Sequence, residues 1–302
     1  MLIDRKAFYK PEQIIKQVKK RISEIKLRKE KIDYITFVPD GEPTLDINLY
    51  KEILLLKQFG FPIAAITNAS LLWREDVRKD LLFADFVSLK VDAVTIDLWK
   101  RINRPHKELK LDTILEGIKE FAKNFNGVLV TETMLIDGID YKEELEKIAN
   151  FLKTLAKLNK AYIAIPTRPP AENWVKPAEE ETLNKAFQIF AKKLGNKKVE
   201  YLIGYEGNAF AFSGNIKEDL LSITAVHPMR EEAVKQLLKK SGATWKVIDE
   251  LLKNGELVRL EYEGNVYYIR KLIKNPIVFS TAKFRQNLNK KDYKFLCGRR
   301  NR

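Results

Sequence analysis

Five short apolar runs, separated by segments with helical periodicity, constrain the fold of this chain more than any other feature. The runs are Tyr34–Val38, Pro62–Ile66, Phe86–Val91, Val128–Leu135 and Ala161–Ile165. A strand that is apolar throughout is expected where both faces of a parallel sheet are buried. Before the first run, Ile14, Val18 and Ile22 recur at helical spacing. The sequence therefore predicts an α/β domain in which strands and helices alternate.

Polar residues at the carboxyl end of each run indicate where a site would form. These residues are Gly41-Glu42-Pro43, Thr67-Asn68, Lys90 and Asp92, Glu132, and Pro166-Thr167-Arg168. In a β/α barrel, the active site is built from the carboxyl ends of several strands. In a doubly wound sheet, the residues would converge mainly at one switch point. The pattern therefore favours a barrel.

The pattern changes near residue 213. Three short helical segments are followed by two strand-like runs, Leu257–Tyr262 and Val266–Ile269. The runs are joined through Glu263-Gly264-Asn265, which is a hairpin signal. This order is typical of a winged helix-turn-helix. We therefore predict a barrel-like domain over residues 1–213, a small winged-helix domain over 214–273 and a basic tail over 274–302.

The formal charge of +14 is concentrated near the two ends of the chain. Residues 274–302 hold nine Lys or Arg against one acid, Asp292, with aromatic residues between them. Clustered positive charge is typical of proteins that bind nucleic acid. RNA or another nucleic acid is therefore a candidate partner. The simpler interpretation is a solvated helix face and a solvated tail.

Hydropathy and cysteine content limit the environment of the protein. No apolar run approaches the 18 residues typical of a membrane span, so the sequence predicts no membrane partner. The chain has one cysteine, which excludes a disulfide framework and favours a reducing cytoplasm. The oligomeric state is not indicated by any of these patterns.

The segment from Tyr34 to Leu45 reads as a buried strand that leads into a tight, carboxylate-bearing turn. Four further blocks follow it: Ala65–Ser70, Arg101–His106, Pro166–Glu172 and Gly204–Asn208. Together they resemble radical S-adenosylmethionine (SAM) proteins, in particular the wyosine-synthase-like iron–sulfur oxidoreductase group. The resemblance implies a partial (β/α)6 TIM-like barrel that is missing its first strand.

The resemblance further implies that SAM binds at the strand ends. The turn after the first run would hold the methionine ammonium, the end of the second strand its carboxylate, and the later strand ends the ribose hydroxyls. The residues implied are Gly41, Glu42 and Pro43, then Thr67 and Asn68, then Ser88, Asp92 and Glu132. An alternative role for Glu42 is a turn carboxylate that caps the following helix.

Members of this family also carry a 4Fe-4S cluster, held by three cysteines after the first strand. The cluster cleaves SAM reductively and starts radical chemistry. This chain has only Cys297, and one thiolate cannot hold such a cluster, so we assign no metal ligands. Either the sequence starts late or the protein is a relative without the cluster. The former is favoured, because a lost strand would expose a sheet edge.

Three functions remain open at this point. The first is a radical SAM enzyme, active in its full-length form on a substrate that the sequence does not identify, RNA among the candidates. The second is a non-catalytic protein that binds nucleic acid through the winged helix and the basic tail. The third is a barrel hydrolase with Glu42 and Glu132 as an acid/base pair, although no sugar-stacking aromatic residues mark the strand ends.

Overall fold

The protein, described here from a computed structural model, divides into two compact units. The described residues are 2–27, 31–38, 41–170, 172–202, 210, 212, 214–226 and 228–271. The first unit comprises Met1–Lys20, Ile32–Pro166 and Val175–Gly204, and the second comprises Arg21–Lys31, Thr167–Trp174 and Tyr205–Arg302. The predicted boundaries at residues 213 and 273 stay predictions. The predicted basic tail and Cys297 lie outside the described residues, as does the block Gly204–Asn208.

Six parallel strands form the sheet of the first unit. They lie side by side in chain order: β1 (Ile35–Phe37), β2 (Ile63–Thr67), β3 (Phe86–Lys90), β4 (Val128–Met134), β5 (Leu158–Ala164) and β6 (Val199–Leu202). Sequential order without a reversal fits a partial β/α barrel and confirms the predicted α/β class. The sequence locates five of these strands and misses β6. The loss of an initial strand stays a prediction.

One helix before the first strand, which belongs to this unit as far as Lys20, and the helices between the strands bury the apolar residues of the sheet. They are α1 (Pro11–Leu27), α2 (Leu49–Lys57), α3 (Glu75–Leu81), α4 (Ile96–Asn103), α5 (Leu111–Asn124), α6 (Glu144–Lys153) and α7 (Glu180–Leu194). The consecutive residues Val87, Ser88 and Leu89 of β3 are all buried. Because neighbouring residues of a strand point to opposite faces, both faces of the sheet are covered there. This is the arrangement that the continuous apolar runs predict.

The second unit combines three helices with a small antiparallel sheet. Its elements are α8 (Ile216–Val226), β7 (Met229–Arg230), α9 (Glu231–Ser241), α10 (Lys246–Lys253), β8 (Leu257–Tyr262) and β9 (Asn265–Arg270). The strands lie in the order β7-β9-β8. Glu263 and Gly264, with φ of 47° and 68°, form the two-residue turn of the predicted hairpin. Assignment to the winged-helix class stays a prediction.

Membrane insertion finds no support in the helices of either unit. None of those within the described residues combines the length and the apolar character that crossing a bilayer requires.

A buried carboxyl group on α2 is unusual for its environment. Glu52 is 3% exposed, and its Oε1 has no hydrogen-bond partner among the described residues. Burial, with a smaller contribution from the charge of Asp46, raises the pKa of Glu52 from 4.5 to about 7. The folded protein therefore keeps a proton on Glu52 at pH values where the unfolded chain has lost it.

This difference predicts a pH-dependent stability. Since the pKa is higher in the folded state, the free energy of unfolding should fall as pH rises from 4.5 to about 7, by about 3 kcal/mol in total. Below pH 4.5, Glu52 is protonated in both the folded and the unfolded state, so its contribution to the free energy of unfolding no longer changes with pH. Glu52→Gln should remove the slope, as measured by urea unfolding across a pH series. Glu116→Gln, at an exposed residue paired with Lys119, should keep it. A slope unchanged in Glu52→Gln would contradict the assignment.

Candidate functional site

The carboxyl ends of β1 to β4 surround a cavity of about 220 Å³ in the first unit. The four strands are parallel and adjacent, so their ends meet at one edge of the sheet. Lys90 of β3 lies in register with Glu132 of β4 there. The cavity is lined by Val38, Gly41, Glu42, Ile66, Thr67, Asn68, Ser88, Lys90 and Glu132. Charged, polar and apolar groups therefore share one small space.

The Glu42 side chain links the turn after β1 to the end of β2. Its Oε1 accepts hydrogen bonds from Thr44 N (3.1 Å), Thr44 Oγ1 (2.7 Å) and Thr67 Oγ1 (2.5 Å). Its Oε2 accepts one from Asn68 N at 2.8 Å. The bond from Thr44 N caps the short 3₁₀ helix Pro43–Leu45. The capping role that the sequence offers as an alternative is therefore present, and the same side chain lines the cavity.

Electrostatics make Glu42 receptive to a cation. Burial raises the pKa of Glu42 above its usual value of 4.5, and the hydrogen bonds from Thr67, Thr44 and Asn68 oppose this rise without cancelling it. A positively charged ligand group in the cavity would stabilise the carboxylate form. Gly41, beside it, presents no side chain, and a Cβ there would meet no atom within 4 Å. This side of the cavity therefore has room for a ligand.

Ser88 and Glu132 form a second polar pair on the cavity wall. Ser88 Oγ donates a hydrogen bond of 2.6 Å to Glu132 Oε1. Ser88 is buried, whereas Glu132 is half-buried. A carboxylate has about four acceptor positions, more than one hydroxyl fills. Glu132 can therefore also accept from hydroxyl groups of a ligand.

Lys90 brings a positive charge to the same cavity. Its side chain is 31% exposed, and its Nζ lies 3.6 Å from Asp92 Oδ1. Asp92 itself is fixed by other bonds, since its Oδ1 accepts from Met134 N at 2.9 Å and its Oδ2 from Asn103 Nδ2 at 2.8 Å. Asp92 thus joins the segment after β3 to the last residue of β4 and to α4, and its carboxylate forms an ion pair with Lys90.

The structure gathers six of the eight predicted site residues around the cavity: Gly41, Glu42, Thr67, Asn68, Ser88 and Glu132. Pro43 is buried in the 3₁₀ helix, and Asp92 lies outside the lining. Sequence reasoning misses Val38 and Ile66 as lining residues; it names Lys90 at a strand end but gives it no part in the predicted SAM site. Lys90 has a visible signal, because it is the one charged residue within the third apolar run. The predicted SAM contacts themselves stay predictions.

The donor set of this chain does not fit an iron–sulfur cluster. Among the described residues, no three His, Cys, Asp or Glu side chains are placed to hold a metal ion. The sequence contains one cysteine, whereas 4Fe-4S clusters are held by several thiolates. The cavity residues instead offer oxygen acceptors and one ammonium group, which suit an organic ligand.

Comparisons with known proteins identify relatives of this chain. Residues 4–152 match the Radical SAM superfamily. The UPF0026 protein MJ1312 of Methanocaldococcus jannaschii is 52% identical over 271 residues, which cover 89% of this chain and 84% of that protein. The UPF0026 protein slr1464 of Synechocystis is 39% identical over 143 residues, which cover 46% of this chain and 52% of that protein.

A solved structure gives a weaker likeness. Archaeal TYW1 covers 63% of this chain, with 66% of its own length aligned, at 16% identity and a TM-score of 0.46. The family of this chain is therefore shown by its sequence relatives and not by this solved structure.

Proposed function

Because the chain belongs to the UPF0026 family and its residues 4–152 form a Radical SAM superfamily domain, we propose that it binds SAM in the cavity at the ends of β1 to β4. The observation that carries the proposal is the pairing of opposite charges in one cavity, Glu42 on one wall and Lys90 on another. A zwitterionic amino acid needs such a pair, a carboxylate for its ammonium and a cation for its carboxylate.

The remaining cavity residues suit the rest of SAM. Ser88 and Glu132 offer a hydroxyl and a carboxylate, which pair with the two ribose hydroxyls. Val38 and Ile66, which are 36% and 40% exposed, provide apolar surface for an adenine ring. Oε2 of Glu42, which accepts one hydrogen bond among the described residues, binds the ammonium in this arrangement, and Lys90 binds the carboxylate. A hydrolase is disfavoured, because the described lining contains no aromatic side chain that could stack on a sugar.

We restrict the proposal to SAM binding by these 302 residues. The match to the Radical SAM superfamily favours radical chemistry, but this chain has one cysteine, whereas a 4Fe-4S cluster is held by several thiolates. The cytoplasm is retained as the proposed location, because the single cysteine favours a reducing compartment.

Calorimetric titration with SAM and its fragments tests the proposal. SAM should bind with a measurable heat, and methylthioadenosine, which lacks the amino-acid part, should bind at least about a hundredfold more weakly, because it can use neither Glu42 nor Lys90. Methionine alone should bind weakly as well, since it leaves the apolar wall uncovered. Equal affinities for SAM and methylthioadenosine would contradict the roles given to the two charged residues.

Nucleic-acid binding is a second proposal, and it depends on the basic tail rather than on α10. The exposed charges of α10, Lys246 and Lys253 against Asp249 and Glu250, balance each other. Such a helix is a poor reader of duplex DNA, since its two acids repel phosphates and it contains no Arg, Asn or Gln for the bidentate contacts that discriminate bases best. The tail, which lies outside the described residues, interleaves cations with Phe284, Tyr293 and Phe295 and thus favours single strands.

If the tail binds RNA, the affinity should depend steeply on salt. Engagement of about five phosphates predicts a slope of log K against log salt of roughly −3 to −4 on single strands. Deletion of residues 274–302 should flatten this slope, as measured by fluorescence anisotropy. A matched control that replaces Lys246 and Lys253 by Gln should keep it. An unchanged slope after the deletion would exclude the tail as the contact.

A further inference from the structure

Arg5 contacts the turn that carries Glu42 and is not among the residues that line the cavity. Its side chain is only 6% exposed. Arg5 Nε donates to the carbonyl oxygen of Thr44 at 2.9 Å, and Arg5 Nη2 donates to that of Asp46 at 2.7 Å. A guanidinium presents its donors in a fixed planar fork. Two carbonyls of one turn are therefore held at a set distance from each other.

The same guanidinium is anchored on α3. Arg5 Nη1 donates to Asp76 Oδ2 at 2.9 Å, and Arg5 Nη2 donates to Asp80 Oδ2. The two carboxylates compensate the positive charge of Arg5, and the contact with Asp80 is largely buried, whereas Asp76 stays about half exposed. The turn after β1 is therefore tied to a helix that belongs to the next strand–helix connection.

Backbone bonds extend this contact along the N-terminal segment. Lys6 N donates to Leu45 O at 3.0 Å, and Ile47 N donates to Lys6 O at 3.2 Å. Phe8 N donates to Asp46 Oδ2 at 3.3 Å. The segment from Arg5 to Phe8 therefore lies along the turn as a short strap. Among its partners in the turn, Thr44, which Arg5 contacts, is the nearest in sequence to Glu42.

We propose that Arg5 is a positioning residue for the SAM site. Arg5 holds Thr44 in the position where the backbone N–H and the hydroxyl of Thr44 both donate to the Glu42 carboxylate. This inference rests on the proposed SAM binding. Arg5 touches neither the cavity nor a ligand in it. Its effect passes through Thr44, whose carbonyl it binds and whose two donors supply two of the four hydrogen bonds to Glu42. Lysine cannot replace it, because one ammonium does not match two fixed carbonyls and two carboxylates.

Removal of Arg5 should change how Glu42 titrates. Hydrogen bonds to a carboxylate lower its pKa, so the loss of the Thr44 donors should raise the pKa of Glu42 further above 4.5. Two other charged groups face the same cavity, Lys90 on β3 and Glu132 on β4. Neither contacts Arg5 in the described structure, so their influence on the pKa of Glu42 should be the same in the wild-type protein and in the variants.

The test is a carboxyl-carbon NMR titration of glutamate-labelled protein without ligand. The Glu42 resonance is assigned by its loss in Glu42→Gln. Arg5→Lys should raise the pKa of Glu42 by about one pH unit, and Thr44→Val should also raise it. The double variant should show less than the sum of the two shifts, because both changes act on the same donors. Arg74→Lys is the matched control, since Arg74 binds Asp76 but not the turn, and it should leave the pKa unchanged.

The same variants are then titrated with SAM, which Arg5→Lys should bind about tenfold more weakly. A wild-type Glu42 pKa in Arg5→Lys, or strictly additive shifts, would overturn the positioning role. Absence of SAM binding by the wild-type protein would instead remove the proposed function and leave the NMR result intact. If Arg5→Lys does not fold, Asp80→Asn, which removes one anchor of Arg5, should give a smaller upward shift. No shift in that variant would also overturn the inference.

Discussion

Glu42→Gln should lower the affinity for SAM about a hundredfold, which is the largest effect on binding that the site predicts. Loss of one partner of a buried, hydrogen-bonded charge pair costs about 2–5 kcal/mol. The amide also introduces a mismatch, because its NH₂ would face donors: Thr44 and Thr67 on one side and Asn68 N on the other. Calorimetry at neutral pH, where the wild-type carboxylate can meet the ligand ammonium, measures the change.

Two further variants serve as comparisons for the loss of affinity in Glu42→Gln. Glu132→Gln retains an acceptor for Ser88 and should lower the affinity about tenfold or less. Glu75→Gln, at an exposed residue of α3 paired with Lys79, should leave the affinity unchanged. If Glu42→Gln binds SAM as well as Glu75→Gln does, while both remain folded by circular dichroism, Glu42 is only a turn cap and does not bind the ammonium.

Acidification should weaken SAM binding for the same reason. Burial raises the pKa of Glu42, so the carboxylate form that binds an ammonium is lost at a higher pH than for an ordinary glutamate. Because a proton on Glu42 competes with the ligand ammonium, the affinity for SAM should fall as the pH drops through the pKa of Glu42. Glu42→Gln should remove that acid limb together with most of the affinity.

The strands and most of the cavity could be predicted from sequence because their signals are local. A continuous apolar run marks a strand buried on both faces, and the polar residue that ends it marks the site. β6 escapes this reasoning because its residues Val199–Leu202 include Glu200 and are mostly exposed. As an edge strand with one buried residue, it carries no apolar run.

Asp92 and Lys90 mark the limit of reasoning from strand ends. Both follow the apolar part of β3, and the sequence favours the carboxylate as the ligand-binding residue. In the structure, the chain leaves the strand after Lys90, and the Asp92 side chain is used by Met134 N and Asn103. Which of two neighbouring polar residues faces a cavity depends on the exact last residue of the strand, which the residue pattern does not define.

Contacts that are distant in sequence carry no local signal at all. Arg5 binds residues 39 to 75 positions away. Glu144 of α6 is a second case, since it reads as an ordinary acid in the first turn of a helix. In the structure it is 5% exposed and lies against the loop between β3 and α4. Its Oε1 accepts from Val94 N at 2.6 Å and Thr95 N at 2.9 Å, and its Oε2 from Thr95 Oγ1 at 2.6 Å.

Glu144→Ala should therefore be the most destabilising of the substitutions considered. It leaves two backbone N–H groups and a hydroxyl without their acceptor in a largely buried place, at a cost of about 3 kcal/mol. For a folded unit of the size of the first one, this corresponds to a fall in Tm of about 6–12 °C. The adjacent Glu143→Ala is the matched control, because Glu143 is exposed and, within the described part of the chain, its side chain pairs with Lys147 of α6. Its effect should stay within about 0.5 kcal/mol. Equal Tm values for the two variants, by differential scanning calorimetry, would show that the β3–α4 loop does not depend on Glu144.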